Sequence, residues 1–383
     1  MTATTQNFGY DLDSPHTATV FSEVLNLQIV NNQHALFQPE SGLIGPGQDY
    51  AVAWDKELQA NDGGEVHKTM HTAFDHEGRT GDQTMENHES GFDDTFQRYV
   101  LSNYRAGGKI KNPLSEKLVA FNLIDTYTSS MALWAARRDY MIKLASLCGA
   151  TGNAGAGWLD HTNRQVDVSK AGIWTRGNAI KPAAANFIYR GTKANSRAVD
   201  EDVVAGDELD LATIFLMDRL IRTARHPIRP PLKMGGKLCY PWLIGPKTAE
   251  TMSQDSEITN IWHSLLQGGF VEKNPFFSNA IGAIRNFVFF IVDDMPPGQD
   301  SVTNEWVTTT EKSCILGCNA LSVQYTAGFS PDNAWKMITG TRDGGYTKFI
   351  HLYQECGLVV TEFEDPLTGD AIQFKHVGTH YTG

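Results

Sequence analysis

Residues 112–149 read NPLSEKLVAFNLIDTYTSSMALWAARRDYMIKLASLCG, and no other segment constrains the architecture as tightly. Asn112-Pro113 is a cap followed by a proline suited to the first helical position. From Ser115 to Leu147 there is neither glycine nor proline, and Gly149 supplies the stop. Leu123, Tyr127, Met131, Trp134, Met141, Ala145 and Cys148 fall on one stripe at steps of three, four or seven, interrupted by Arg138. About 33 residues at about 1.5 Å each predict a rod near 50 Å long, against an average of about 11 or 12 residues for a globular helix.

Upstream, residues 1–50 form a loose opening. An apolar-periodic piece, Val20 to Val30, is followed by PESGLIGPGQ, whose prolines and glycines prevent a long element. Such an arm has little core of its own. Residues 51–111 are polar and glycine-rich, with Phe92, Phe96 and Val100 set among Asp93, Asp94 and Arg98. Long segments of this kind are uncommon in compact domains and usually serve a function. The pattern predicts a projecting two-stranded excursion returning through Phe96 to Ile110. A two-stranded hairpin is marginal alone, so it needs something to lie on.

Downstream, Trp158 to Gly206 is a stretch of low periodicity. Asp207 is placed to cap a helix with core face Leu211, Ile214, Phe215, Met217, Leu220, Ile221 and Ala224, ended by Pro227. KLCYPWLI reads as a buried strand, Gly245-Pro246 opens a helix through Met252, and Ile258 to Leu266 is another. Phe287 to Val292 reads as a central strand. Glu311 to Tyr325 is expected as a helix ended by Gly328. Tyr346 to Tyr353, Leu358 to Phe363 and Ala371 to Lys375 are expected as closing strands, turned at Cys356-Gly357 and at 366–369. The order is mixed α+β, without regular βαβ alternation or a fixed-period repeat.

No chemistry emerges from the motifs. His67 and His71 are four apart, but Gly63, Gly64 and Gly78 argue against a helix that would join them, no HExxH occurs, and they read as loop histidines. Cys314 and Cys318 sit on the inward stripe expected with Leu321 and Tyr325 and read as core. GATGNAGAG, residues 149–157, lacks the Gly-Lys-Ser/Thr ending of a phosphate loop and follows a helix. GxSxG is absent, and Asp293-Asp294 reads as a solvated strand end. Arg219, Arg222, Arg225, His226 and Arg229 make the one concentrated basic run, fit either to touch phosphate or to bridge to an acidic partner subunit.

The 383 residues carry 32 Lys+Arg against 44 Asp+Glu, a formal charge of -12. That argues against a protein whose main surface grips a phosphate backbone, though a like-charged wall can enclose nucleic acid without adhering to it. A compact chain of this mass buries about three quarters of its extended surface, so metals and disulfides are not needed for a core. The five cysteines, Cys148, Cys239, Cys314, Cys318 and Cys356, are sparse and irregular, which fits a reducing compartment rather than a disulfide framework. The first residues show no signal-peptide pattern and the longest apolar run is too short to cross a bilayer, so a soluble chain made in a cytoplasm is expected.

Four stretches, in order, resemble the major capsid proteins of tailed double-stranded DNA bacteriophages. Within that family they resemble the branch related to the major head protein of the short-tailed coliphage with a virion RNA polymerase. Residues 81–149 look like the family's loop-into-spine segment, with Met85 and Glu86 followed by Asn87 where the family phrase has glycine. PPLKMGGKLCYPWLIGPKTAETM keeps Tyr240 and Pro246 of a strand-to-helix phrase. NPFFSNAIGAIRNFVFFIVDDM keeps Asn274, Pro275, Phe277, Ala280, Ile281 and Gly282, with Asn279 replacing a glycine. EKSCILGCNALSVQYTAG resembles a Leu-Leu-Gly-Ala-Gln-Ala phrase, with Cys318 and Asn319 in place of Ala and Gln.

The resemblance implies an α+β capsid fold with N-terminal arm, extended β loop, long spine helix, and peripheral and axial domains. On this chain these become an arm at 1–50, a loop with its base strands at 51–111, a peripheral domain at 112–231, an axial domain at 232–345, and C-terminal strands returning to the peripheral domain at 346–383. It implies a structural subunit and not an enzyme, self-assembling into pentamers and hexamers that enclose double-stranded DNA. A scaffolding protein, a portal and a decoration protein are the implied partners, with non-specific proximity to DNA, no membrane and no cofactor or metal. The implied setting is the virion, with synthesis in the bacterial host cytoplasm. Phe92, Phe96, Tyr99 and Tyr104 are the expected aromatic anchors between subunits, and Arg222, Arg225 and Arg229 the expected polar contacts. The alternatives are a cargo-enclosing protein compartment and an enzyme of another class.

Overall fold

The computed structural model describes residues 19, 22–28, 42–47, 49–55, 65–71, 94–100, 102–111, 123–148, 187–189, 203, 208–223, 228–234, 237–267, 280–299, 306–326, 328–342, 347–360 and 375–380. A short helix over 22–28 comes first. Then follow β1 (Ile44–Pro46), β2 (Val52–Asp55), β3 (Glu65–His71), β4 (Asp94–Val100) and β5 (Ser102–Lys111). Helix α1 (Leu123–Leu147), β6 (Phe187–Tyr189), α2 (Leu211–Thr223), β7 (Leu232–Met234) and β8 (Lys237–Ile244) lead to α3 (Pro246–Gln254) and α4 (Ser256–Gln267). The chain continues through β9 (Ala280–Ile284), β10 (Phe287–Ile291), β11 (Pro297–Gln299), β12 (Trp306–Ile315) and β13 (Leu321–Tyr325). It closes with β14 (Lys336–Arg342), β15 (Thr347–Val360) and β16 (Lys375–His380).

Two sheets carry the body. One runs β6-β16-β12-β8-β10-β9, with β7 added on β8 and β11 on β12. Its two innermost apolar strands, KLCYPWLI and FVFFI, pair in parallel with Tyr240 opposite Phe287 and Ile244 opposite Ile291. Alternate residues go to opposite cores. Tyr240, Trp242, Ile244, Phe287 and Phe289 pack with α2, α3 and α4, while Leu243, Val288, Phe290 and Val292 face the core shared with α1. Burial on both faces is why these strands read as unbroken apolar runs. Pro241 falls where the side of β8 opposite β10 changes partner from β7 to β12, so its missing N–H breaks no ladder bond there.

The other sheet runs β1-β2-β13-β15-β14, with β5 on the far side of β15. β15 is its axis, since β5 pairs along Thr347 to Cys356, while β14 and then β13 take successive halves of the opposite side. β3 and β4 form a separate two-stranded antiparallel ribbon, Glu65 opposite Val100 and His71 opposite Asp94. A two-stranded unit is therefore present, but the expected return through Phe96 to Ile110 divides: β4 completes the ribbon and β5 pairs with β15 instead. His67 and His71 lie on a strand and not in the loop expected for them.

Helix α1 spans 25 described residues, and 112–122, including the expected cap, lie outside the described residues. The single stripe expected for it needs correction. Tyr127 and Trp134 are partly exposed, whereas residues 138–148 are buried on every side. This end of the helix lies in a core formed by both sheets, so no face is left for solvent. Two of the charges it carries there pair internally: Lys143 Nζ donates to Asp139 Oδ2 at 2.5 Å, both side chains being under 10% exposed.

Three other expectations are corrected. Residues 311–325 are not a helix but the end of β12, a tight turn with Asn319 at φ 54°, and β13. Every residue from 310 to 325 is buried, so the four-residue spacing of Cys314 and Cys318 reflected total burial and not a helical face. Cys356-Gly357 is not a turn, because β15 runs straight through it with Gly357 opposite Gln324. The opening segment, expected as a loose arm, contributes instead to the core of the body. Leu25, Leu43, Ile44, Ala51 and Val52 are buried in the main cluster, and Asn26 locks the 22–28 helix to the chain before β14 by donating to Trp335 O at 2.7 Å and accepting from Trp335 N at 3.1 Å. Ala371 to Phe374 lie outside the described residues, and β16 starts at Lys375.

A carboxylate joins the helical layer to the sheet. α3 starts at Gly245 without a side-chain cap of its own. Glu311 of β12 supplies it, Oε2 accepting from Thr248 N at 2.9 Å and from Thr248 Oγ1 at 2.6 Å. Burial pushes the Glu311 carboxyl above its usual range, and those hydrogen bonds from Thr248 pull it part of the way back. Gly245 leaves room for this group, since a β-carbon there would collide with the Glu311 carboxylate. Gly245→Ala is expected to lower folding stability by about 1–3 kcal/mol, checked by denaturant unfolding of the soluble protein.

Candidate functional site

Among the described residues, no group of three or more His, Cys, Asp or Glu is placed to hold a metal ion. All five cysteines are buried free thiols, and burial pushes Cys239, Cys314, Cys318 and Cys356 upward, away from the reactive thiolate. No described helix is long and apolar enough to cross a membrane. An open groove beside the 22–28 helix is lined by Ser22, Glu23, Asn26, Asp332, Lys336 and Tyr353. Ser22 Oγ there is engaged in accepting from Met337 N at 2.9 Å, a docking contact and not a poised nucleophile.

The aromatic residues singled out from the sequence lie along the ribbon and its continuation. Phe96 and Tyr99 are on β4, opposite Thr69 and Val66, and Tyr104 is on β5, opposite Gln354. Phe92 lies outside the described residues.

The basic residues separate. Arg225 lies outside the described residues. Arg229 approaches Asp49 at 3.6 Å, with both side chains largely in solvent. Arg222, in the last turn of α2, donates through Nε to Asp218 Oδ1 at 2.8 Å. The helix itself starts at Asp210, whose Oδ1 accepts from Thr213 N at 2.7 Å, while Asp207 lies outside the described residues. Most of the expected core face is confirmed at Leu211, Ile214, Met217, Leu220 and Ile221. Phe215 is instead partly exposed.

The partner that sequence reasoning missed is Arg285. It occupies the turn between β9 and β10 at φ 55° and donates through a terminal guanidinium nitrogen to Asp218 Oδ2 at 2.5 Å. Its guanidinium carbon lies 4.1 Å from the centre of the Phe215 ring. Sixty-seven residues separate Arg285 from Asp218, and the only local signal was a turn-like Arg-Asn between two apolar runs. Burial works to raise the Asp218 carboxyl, but the hydrogen bonds from Arg222 and Arg285 outweigh it and hold the group below its usual range.

With this geometry in view, the comparisons are decisive about kinship. The pattern that defines the family described as Phage capsid protein matches residues 18–334. The chain belongs to the phage capsid protein family. Its fold is similar to that of the capsid of Ralstonia phage GP4, with a TM-score of 0.69 at 16% sequence identity over 90% of this chain and 91% of that one. It is also similar to the capsid of cyanophage Pam1, with a TM-score of 0.64 at 12% identity over 92% and 93%. For the capsid of Helicobacter pylori bacteriophage KHP30 the TM-score is 0.58 at 14% identity over 89% and 91%. No curated protein sequence matches the chain. The mixed α+β body is thus a phage capsid fold, and the capsid protein it forms is a structural one.

The lowered Asp218 carboxyl gives a signed pH effect. Its stabilisation is fully present above the unfolded-state value near about 3.9 and is lost as pH falls through the folded one. Asp218→Asn is expected to cost about 1–2 kcal/mol near neutrality. The gap between variant and native chain should close as pH falls below about 4, read from parallel urea titrations across the acid range.

Proposed function

We propose that this chain is the major subunit of an icosahedral head of a tailed phage, arranged as pentamers and hexamers around double-stranded DNA. In this reading it is made in the cytoplasm of a bacterial host and assembles on a scaffolding protein around a portal, with a decoration protein as a further partner. The branch related to the short-tailed coliphage with a virion RNA polymerase is its proposed place in the family. The observation that carries the reading is that family pattern and fold likeness extend over nearly the whole chain.

The parts have proposed roles. α1 is the spine helix, residues 51–111 with the β3–β4 ribbon are the extended loop and its base strands, and residues 1–50 are the arm. Among the described residues the ribbon pairs with no further strand, so two strands must find their partner surface elsewhere. Ordering it costs about 1–2 kcal/mol per backbone residue, which contact with neighbouring copies would offset. Phe92, Phe96, Tyr99 and, on β5, Tyr104 are the aromatic anchors, and Arg222, Arg225 and Arg229 the polar contacts on the body.

Co-expression with the scaffolding protein of the same phage, followed by electron microscopy, is expected to yield closed shells of uniform size. A protein that stays monomeric under those conditions would overturn the proposal. Virions should protect double-stranded DNA from nuclease, whereas shells filled with cellular protein would favour the cargo-compartment alternative. The Lys–Asn cross-link found in one variant of the fold is not expected here, although Lys109 and Lys111 are present. Mature particles should therefore run as one 42.3 kDa band in denaturing electrophoresis. Phe96→Ala should weaken the ribbon contact by about 2 kcal/mol per copy, seen as a lower dissociation temperature of the shells.

A further inference from the structure

Arginines meet solvent around one buried carboxylate. Asp218, its side chain 6% exposed, takes Arg222 Nε on one oxygen at 2.8 Å and a terminal nitrogen of Arg285 on the other at 2.5 Å. A gap that one carboxylate bridges from the buried side is one that a second oxyanion of similar bite can bridge from the solvent side. The Arg222 and Arg285 side chains remain 60% and 48% exposed. Each guanidinium carries more N–H donors, in a fixed fork, than its one bond to Asp218 uses. Because Asp218 is covered, an anion arriving from solvent meets the cations and not the carboxylate.

Both arginines are held in place before any ligand arrives. Arg285 sits at φ 55°, a left-handed conformation that a residue with a side chain adopts at a cost. Its guanidinium carbon lies 4.1 Å from the centre of the Phe215 ring. Arg222 is fixed by a buried carboxylate one helical turn before it. Donors positioned in this way lose less side-chain freedom on binding than free surface arginines do.

The charge favours phosphate over carboxylate. Arg219 is exposed on α2, one turn after Phe215 and three residues before Arg222, and so belongs to the same side of the helix. No acidic side chain among the described residues pairs with Arg219, so three cations share the single negative charge of Asp218. On a chain of net charge -12 this is a local reversal of sign. A carboxylate would bring one charge and two oxygens. A phosphate group brings about -1.5 to -2 charge near neutrality and three strongly accepting oxygens, and a nucleic-acid strand brings successive phosphodiesters.

We propose that Arg222 and Arg285, with Arg219 beside them, form a phosphate-binding site on the exposed side of α2, filled by free phosphate or by a phosphodiester of nucleic acid. The site stands on the cluster alone and goes beyond the shell reading without requiring it.

The test is calorimetric titration of the full-length soluble chain at fixed ionic strength, with inorganic phosphate, acetate and a short DNA duplex as separate probes. One phosphate per chain is expected, bound about tenfold or more tightly than acetate. The doubly substituted Arg222→Lys, Arg285→Lys chain keeps both charges at Asp218 but loses both forks, and should bind phosphate about tenfold more weakly. Arg219→Gln disturbs no bond to Asp218 and should weaken phosphate about three- to fivefold, so the site remains testable if the lysine chain does not fold. Duplex binding that phosphate competes away and the same substitutions weaken identifies the phosphodiester as the source. Phosphate uptake without duplex binding identifies the free anion. Absence of saturable phosphate uptake, equal affinity for acetate, or unchanged affinity in a folded variant overturns the inference and leaves the cluster as a fastening of α2 to the β9–β10 turn.

Discussion

The end of α1 is held on every side, and the rest of the body is arranged around that constraint. Residues 138–148 are buried between the two sheets, so the helix acts as a wedge touched by both. Cys314 Sγ of β12 approaches Leu147 O at 3.8 Å, tying the helix end to one sheet. Ala135, Met141 and Leu144 share the core with Val323, Leu352 and Leu358 of the other. Burying a helix end so completely puts charges inside, and Asp139 and Lys143 match one another one turn apart. Removing one partner of such a pair costs far more than replacing both, because an uncompensated charge is left in the interior.

The sheet containing β8 and β10 transmits this arrangement to the helical layer. One of its faces belongs to the wedge core and the other to α2, α3 and α4, with Trp242 stacked on Phe289 at 5.2 Å. Trp242 Nε1 donates to Ser313 Oγ at 3.1 Å, so this buried ring has its polar atom satisfied. Glu311 reaches from the same strand as Ser313 to cap α3. The helical layer is thus joined to the sheet both by its apolar face and by the Glu311 cap.

Local pattern was informative where one signal dominated. α1, β8, β10, α3 and α4 were legible because long helical spacing, unbroken apolar runs and Gly245-Pro246 each have one reading. The pattern misled where burial was total. From 310 to 325 every position is inside, so apolar spacing lost its period and a strand–turn–strand looked helical. Gly357 misled in the opposite way, because a glycine within a paired strand looks like a turn when the pairing is not known. The Asp218 site was half legible. Arg222 stood out in a basic run, but Arg285 arrives from sixty-seven residues away, and the inward turn of Asp218 depends on what packs over it.

By itself, the amino-acid sequence determined the mixed α+β class, the rod helix, the two-stranded ribbon and the kinship with phage capsid proteins, since these follow from local spacing and ordered motifs. Tertiary structure alone decided that the opening segment docks through Asn26 and Leu25, that β15 serves as the axis of three partner strands, and that two arginines share one carboxylate. These features depend on which distant groups a buried backbone or side-chain polar atom can reach. That choice is made by packing, which brings together residues whose separation along the chain leaves no periodic trace.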